Sequence, residues 1–449
     1  MAPRTIFKDI YQVRPGECII HDRGGRKSFL YWDIGFPPAG MHDVTNRDEA
    51  MEGIRETLGE ATAIRLRADV PVGAYLSGGL DSSILTALVK RHTPVMETFS
   101  VSFQDPAYDE SAFQQATGQR LGTRHHVAKV SYDDISRIFP EIIRHTEIPV
   151  LRTAPAPMYM LSRLAQDHGI KVVLTGEGSD EVFGGYDIFK EAKIRRFWSR
   201  IPASKYRPRL LFKLYPYSPV QMKRSGQLLI SFYRTDLMET DHFGYSHLPT
   251  WSNTSSIREY FHDDFKEALK GYDPIEELRA HLNPDFSLWH PLNQAQYLEM
   301  KLLLAGYLLS SQGERMAMAN SVEGRYPFLD HRLAEYAARI SPALKLRGLK
   351  EKYILKRAFM DQLPPEIFSR TKQPYGAPNK ECFFLDGRPK DGIQEFLTSD
   401  ALRETGIFNP AGVARLVEKC AASNRLGFRD NSALVGVLST QILTRLFCG

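Results

Sequence analysis

The sequence predicts an α/β fold: a parallel sheet flanked by helices, with a short N-terminal β segment and a mostly helical C-terminal part. Three observations point there. Between residues 70 and 175, apolar runs of strand length alternate with helical stretches. The two strongest polar motifs each follow directly on a predicted strand, where open α/β sheets place their ligands. From Phe189 onward the apolar spacing is mostly helical, and no internal repeat occurs.

Taken in order, residues 1–33 read as β-structure: TIFKDIYQV, a turn at Arg14-Pro15-Gly16, ECIIHD, a turn at Gly24-Gly25, then SFLYW. Phe36-Pro37-Pro38-Ala39-Gly40 reads as a linker, dividing the chain into residues 1–40 and 41–449. Ala50, Met51, Ile54, Leu58, Ala61 and Ile64 keep helical spacing behind Asn46, a candidate N-cap. Strands are expected at Val70–Leu76, Glu97–Phe103, His126–Val130 and Lys171–Thr175. Helices are expected near Glu110–Leu121, Asp133–His145 and Pro157–His168. The apolar block Tyr297–Ser310 reads as a core helix, and loops are expected near 214–219 and 249–256.

Composition narrows the class. With 449 residues, 43% hydrophobic and 25% charged, the chain reads as a soluble globular enzyme. No apolar run approaches the ~20 residues that cross a bilayer, and MAPRTIFKDIYQ lacks a signal-peptide core. Cys18, Cys382, Cys420 and Cys448 lie far apart and form no CxxC pair, so a reducing cytoplasm is the expected compartment. A net charge of +5 does not imply nucleic acid. Lys190 to Arg224 holds eleven Lys/Arg and one acid. That stretch suits an acidic partner or RNA, but a solvated helical surface is the favoured reading.

Chemistry concentrates in two strings. In VPVGAYLSGGLDSS the apolar run ends at Leu76, and Ser77-Gly78-Gly79 forms a turn before the helix that Asp81-Ser82-Ser83 opens. Such a turn offers outward N–H groups and a helix dipole to an anion, and the serines add hydroxyl donors. Asp81 would repel a bare phosphate, so a bridging Mg²⁺ is expected. In KVVLTGEGSDEVFGGY, Glu177 and Asp180 follow the predicted strand, with Glu181 beside them. Three carboxylates in five residues need a shared cation or proton. A Mg²⁺ between Asp81 and Asp180 would leave Glu177 for proton transfer.

SGGLDSS resembles the pyrophosphate loop of the N-type ATP pyrophosphatases, and no Walker motif occurs in the chain. Together with GEGSDEVFGGY, the strings ERMAMANSVEGRYPFLD (Glu314–Asp330), LRGLKEKYILK (Leu346–Lys356) and RTKQPYGAP (Arg370–Pro378) resemble the asparagine synthetase family. The resemblance implies a sheet of the adenine nucleotide alpha hydrolase type, with ATP and Mg²⁺ as cofactors. It assigns Ser77, Gly78, Gly79, Asp81, Ser82 and Ser83 to the pyrophosphate, with Thr175 and Gly176 as further nucleotide contacts. Leu76 and Val101 fall where the family packs adenine. Asp81 and Asp180 match its metal-binding acids, Glu177 the acid acting on the incoming amine, and Lys352 the lysine at the α-phosphate. Arg325 and Asp330 are given a structural or substrate-orienting role.

The implied reaction is adenylation of a small-molecule carboxylate, with aspartate as the leading candidate, then attack by ammonia. Bifunctional members of the family begin Met-Cys, whereas this chain begins Met1-Ala2-Pro3 and its first 40 residues resemble the end of a glutaminase domain. Cys18 is internal and has no free α-amine to activate it. The expectation is that the chain does not hydrolyse glutamine, and that nitrogen comes from ammonia, a separate glutaminase or another amine. A homo-oligomer is compatible with the sequence. Tyr75, Gly324 and Tyr326 depart from the family pattern on the substrate side. Other carboxylates, or a non-catalytic ATP-binding subunit, are the competing readings.

Overall fold

The computed structural model describes residues 2–93, 95–214, 219–369, 375–423 and 426–448. Residues 370–374 of the RTKQPYGAP string, and most of the expected loop at 214–219, lie outside them. A hairpin of β1 (Glu17–Asp22) and β2 (Gly25–Leu30) comes first. TIFKDIYQV, expected to be extended, makes only an isolated bridge between Arg4 and Tyr11. Its apolar residues Ile6, Ile10 and Tyr11 are exposed, so no partner strand organises it.

The helix α1 (Arg47–Arg65) follows, and Asn46 caps it as expected, accepting from the N–H groups of Asp48 and Glu49. The alternating region then gives β3 (Val72–Tyr75), α2 (Leu80–Lys90), β4 (Glu97–Phe103), α3 (Ser111–Leu121) and β5 (Arg124–Val130). Next come α4 (Tyr132–Thr146), α5 (Pro155–Asp167), β6 (Val172–Leu174), α6 (Ser179–Phe183) and α7 (Asp187–Ser199). Ser131 and Asp134 form a reciprocal capping box on α4, and Pro155 sits in the first turn of α5. All four expected strands are present within a residue or two of their predicted ends.

A fifth strand, β7 (Glu323–Arg325), joins the sheet from within the third motif, and periodicity did not reveal it. It has three residues and exists through pairing with β6. The sheet is parallel throughout, in the order β5-β4-β3-β6-β7. The chain winds outward from β3 to β5, then returns to place β6 on the other side of β3. That reversal leaves a crevice beyond the carboxyl ends of β3 and β6. Both polar motifs open into it.

Helices cover both faces. Phe99, Val101 and Val173 point to one side, meeting Phe139 and Ile143 of α4 and Leu434 and Leu438 of the C-terminal helix Phe428–Phe447. Ala74 and Leu174 point to the other side, against Val89 of α2. Beyond them Ile54 and Leu58 of α1 pack with Leu85 and Leu88 of α2 and with Ile354 and Leu355 of the helix Tyr353–Phe359. Each fully buried side chain of this size contributes roughly 2 kcal/mol.

Two helical expectations change. The apolar block at 297–310 divides: the helix Pro291–Glu299 is buried, but Met300–Glu314 widens to π spacing and fully buries only Leu304, Ser311 and Gln312. Met300 and Leu302 pack half-buried against the core, whereas Leu308 lines the cavity beside Glu177, and π segments of this kind recur at functional sites. Residues 249–256, expected to be a loop, are mostly the helix Leu248–Ser255. Pro249 is tolerated because it lies in the first turn, where no intrahelical N–H is required.

Of the basic stretch, Lys193, Arg200, Lys205, Arg209 and Lys213 are exposed, as a solvated helical surface requires, whereas Arg195 is used internally. Arg195 on α7 is 1% exposed and donates to the carbonyls of Tyr233, Thr235, Asp236 and Tyr245. It ties together a helical layer that also buries Trp198, Leu211 and Tyr233. No helix among the described residues is long and apolar enough to cross a membrane.

Candidate active site

The turn after β3 is held mainly by its own hydroxyls. Ser82 Oγ accepts from the Ser77 N–H at 3.2 Å and lies 3.0 Å from Ser77 Oγ, which in turn accepts from the Gly79 N–H. Ser83 Oγ is turned inward and donates to the Gly79 carbonyl at 2.6 Å. Gly78 adopts a φ of +71°, which a side chain would resist. Leu76 is fully buried, its N–H bonded to the Phe99 carbonyl, and Val101 is buried on the neighbouring strand β4.

The second motif meets the first across the crevice. Ser179 Oγ, at the start of α6, donates to Asp81 Oδ1 at 2.7 Å. Asp81 Oδ2 and Asp180 Oδ1 each lie 2.7 Å from the ammonium of Lys352, whose side chain is 3% exposed. Three residues far apart in sequence therefore converge on one point. Lys352 has a left-handed backbone, φ 49° and ψ 33°, immediately before the helix Tyr353–Phe359. For a lysine that conformation costs on the order of 1 kcal/mol, so the surrounding structure imposes it. Ser179 was not singled out in the sequence, although it lies inside the GEGSDE string.

Asp81 and Asp180 thus share a cation-sized position, with Lys352 as the cation. Hard carboxylate oxygens at such a place suit Mg²⁺, which takes one or two carboxylates and completes its shell with phosphate and water. Among the described residues no group of three or more His, Cys, Asp or Glu could hold a metal, so the protein offers a pair and not a cage.

Thr175 and Gly176 carry the chain out of β6. Thr175 donates its N–H to the Arg325 carbonyl, and its hydroxyl accepts from the Glu177 N–H at 3.2 Å. Glu177 lines a narrow cavity with Tyr75, Met158, Leu308, Gln312 and Tyr326. Burial, then the charges of Asp180 and Glu177, push the Glu181 carboxyl up to about 8. Glu181 is fully buried and accepts from the Tyr186 hydroxyl at 2.8 Å. The crowded acids therefore share charge in two ways: Lys352 bridges two of them, and Glu181 keeps its proton at neutral pH.

Tyr326 and Gly324 also find a use. Desolvation and a hydrogen bond to Glu314 raise the Tyr326 phenol, and burial raises the Glu314 carboxyl. A Cβ at residue 324 would press on the Tyr326 hydroxyl, so the glycine makes room for that pair. Arg325 and Asp330 sit elsewhere. Arg325 donates to the carbonyls of Arg65 and Arg67 at 2.7 and 2.8 Å, closing the end of α1. Desolvation would raise Asp330, but hydrogen bonds from Arg332 and Arg65 hold it well below the carboxylate range. Asp330 also caps the helix His331–Arg339. Both residues act as struts between α1, β7 and that helix.

Known proteins are similar to this chain over most of its length. The asparagine synthase family model matches residues 53–445. A Penicillium rubens protein named amidase chyE is 31% identical over 448 residues, covering 93% of this chain and 65% of its own length. Asparagine synthetase [glutamine-hydrolyzing] 1 of Bacillus subtilis is 29% identical over 380 residues, covering 84% of this chain and 57% of itself. A putative asparagine synthetase [glutamine-hydrolyzing] of Mycobacterium bovis is 30% identical over 382 residues, covering 84% and 56%. The chain spans less than two thirds of the length of each of these relatives. On the extent of the family match, this chain belongs to the asparagine synthase family.

Proposed function

We propose that the chain is an ATP-dependent amide synthetase that adenylates a carboxylate, releases pyrophosphate, and forms the amide with ammonia while AMP leaves. One observation carries the reading: Lys352 joins Asp81 and Asp180 at the switch point of the sheet, between the Ser77–Ser83 turn and Glu177. The turn and its N–H groups would grip the β- and γ-phosphates, with Leu76 and Val101 against the adenine. When bound, Mg²⁺ held by Asp81 and Asp180 would neutralise phosphate charge. Lys352 would then place its ammonium on the α-phosphate, where charge develops as the carboxylate oxygen bonds to phosphorus and the bridging oxygen leaves. Glu177 would take the proton that the nitrogen loses as it attacks the acyl carbon. Val173, buried and lining the cavity beside Glu177, would help keep water from the adenylate.

Family membership proposes aspartate as the acceptor and asparagine as the product. A different carboxylate is the second reading, favoured by likeness to proteins named amidases. Nitrogen is proposed to arrive as ammonia, free or from a separate glutaminase. Pyrophosphate release from MgATP, measured across carboxylic acids with ammonium or glutamine as donor, tests the reading. Release that depends on an added acid and is coupled to amide formation is expected. Release without any acid, or hydrolysis to ADP, would refute it.

A further inference from the structure

The string LKEKYILK carries Lys350, Lys352 and Lys356, and of these Lys352 reaches the acids. Lys350 is exposed. Lys356 donates to Glu351 Oε1 at 2.8 Å, and Glu351 Oε2 lies 3.3 Å from the ammonium of Lys190 on α7. The side chains of Lys190 and Glu351 are 12% and 15% exposed, so water screens their attraction little. Desolvation would raise the Glu351 carboxyl, but Lys356 and Lys190 hold it down at about 2, and it is ionised at neutral pH.

Helix α7 grips the turn 346–352 at both ends. Lys193, one helical turn beyond Lys190, donates to the Leu346 carbonyl at 3.1 Å. Gly184, Gly185 and Tyr186 separate α7 from α6, which carries Asp180. One short segment therefore holds two adjacent residues of opposite charge: Asp180 takes Lys352, and Lys190 takes Glu351. That alternation fixes the register. Bringing Lys350 to Asp180 instead would set Leu349 opposite Lys190 and leave a largely buried ammonium without the Glu351 carboxylate. The hold also keeps Lys352 in its left-handed conformation, φ 49°, which a relaxed turn would abandon.

Resting on the amide-synthetase reading, we infer that Glu351 is a positioning residue: paired with Lys190 and Lys356, it fixes the turn that delivers the Lys352 ammonium to the α-phosphate. The start of the basic stretch, Lys190 and Lys193, thereby takes part in the site. Glu351 acts through where Lys352 stands, and a displacement of about 1 Å at such a point costs on the order of 100-fold in rate.

Acid-dependent pyrophosphate release by the intact chain, with MgATP, ammonium and the acid that the parent uses fastest, tests this. Glu351→Gln should lower kcat about tenfold or more, with the KM values for MgATP and for the acid changed less than about threefold. Lys190→Met, which leaves Glu351 its bond to Lys356, should lower kcat about threefold, and adding it to Glu351→Gln should cost little more, because both act through one contact. If Glu351→Gln does not fold, the fall with Lys190→Met carries the test. An unchanged kcat in either folded variant would overturn the inference, while release by the parent leaves the amide-synthetase reading standing. Additive losses in the double variant, or KM values that rise as far as kcat falls, would also overturn it, since they point to a general effect on the fold. No release by the parent with any acid would overturn the amide-synthetase reading itself.

Discussion

Lys352 and Asp180 meet at 2.7 Å, nitrogen to oxygen, because residue 185 is a glycine. A Cβ there would fall on both Asp180 Oδ1 and Lys352 Cε. The second glycine of the FGGY string therefore shapes the charge centre without contributing any polar side chain to it.

Gly185→Ala should push the lysine and the aspartate apart while the fold survives, at a cost of about 1–3 kcal/mol. Acid-dependent pyrophosphate release is expected to fall about 100-fold. Near-normal release in a folded variant would show that the close approach is dispensable.

Lys352→Met removes the ammonium that bridges Asp81 and Asp180. Without metal the variant should lose about 3–5 kcal/mol of stability, as when one partner of a buried pair is removed. Mg²⁺ should raise its melting temperature more than that of the parent chain, since the ion replaces the missing charge. Thermal denaturation with and without Mg²⁺ reads this, and equal Mg²⁺ shifts would count against a shared cation position.

Glu177→Gln separates the two half-reactions. Pyrophosphate release should change by no more than a few-fold, whereas amide formation should slow about 100-fold. Losing both to the same extent would remove Glu177 from the proton-transfer role.

Glu181 makes stability depend on pH. Its folded pKa, about 8, lies above the unfolded value of 4.5. The protonated form is favoured by folding, so this contribution is complete below about 4.5 and is lost as pH rises toward 8. Glu181→Gln retains an acceptor for Tyr186 and cannot ionise. The variant should match the parent near pH 5 and exceed it by a few kcal/mol near pH 8. Denaturant melts at the two pH values check this, and a constant gap would contradict a buried, protonated Glu181.

Arg195→Lys removes a planar fork that serves four carbonyls and supplies at most three donors in its place. About 2–4 kcal/mol should be lost, read as a fall of several degrees in melting temperature. Little change would return Arg195 to the solvated face that the charge pattern suggested.

The turn at Ser77–Ser83 and the acids at Glu177 and Asp180 were legible because their chemistry is local: small residues, hydroxyls and carboxylates within a few positions after an apolar run. Strands β3, β4, β5 and β6 were legible for the same reason. Strand β7 was not, since three residues carry no period and take strand form only from the edge of β6. The place of Leu308 in the cavity lining was also hidden, because an apolar residue lining a cleft reads like one lining a core.

By itself, the sequence determined an α/β chain with a small-residue turn after a strand and candidate acids at Asp81, Glu177 and Asp180, while Lys352 entered only through the family resemblance. The turn and the acids follow from residue type and short-range spacing. Only the tertiary structure decided that β6 pairs with β3, which opens the crevice where the motifs face each other. It also decided that Lys352 arrives between Asp81 and Asp180 from 271 residues beyond Asp81. Strand order and long-range convergence arise from burying both faces of one sheet at once, and no local window of sequence carries that constraint.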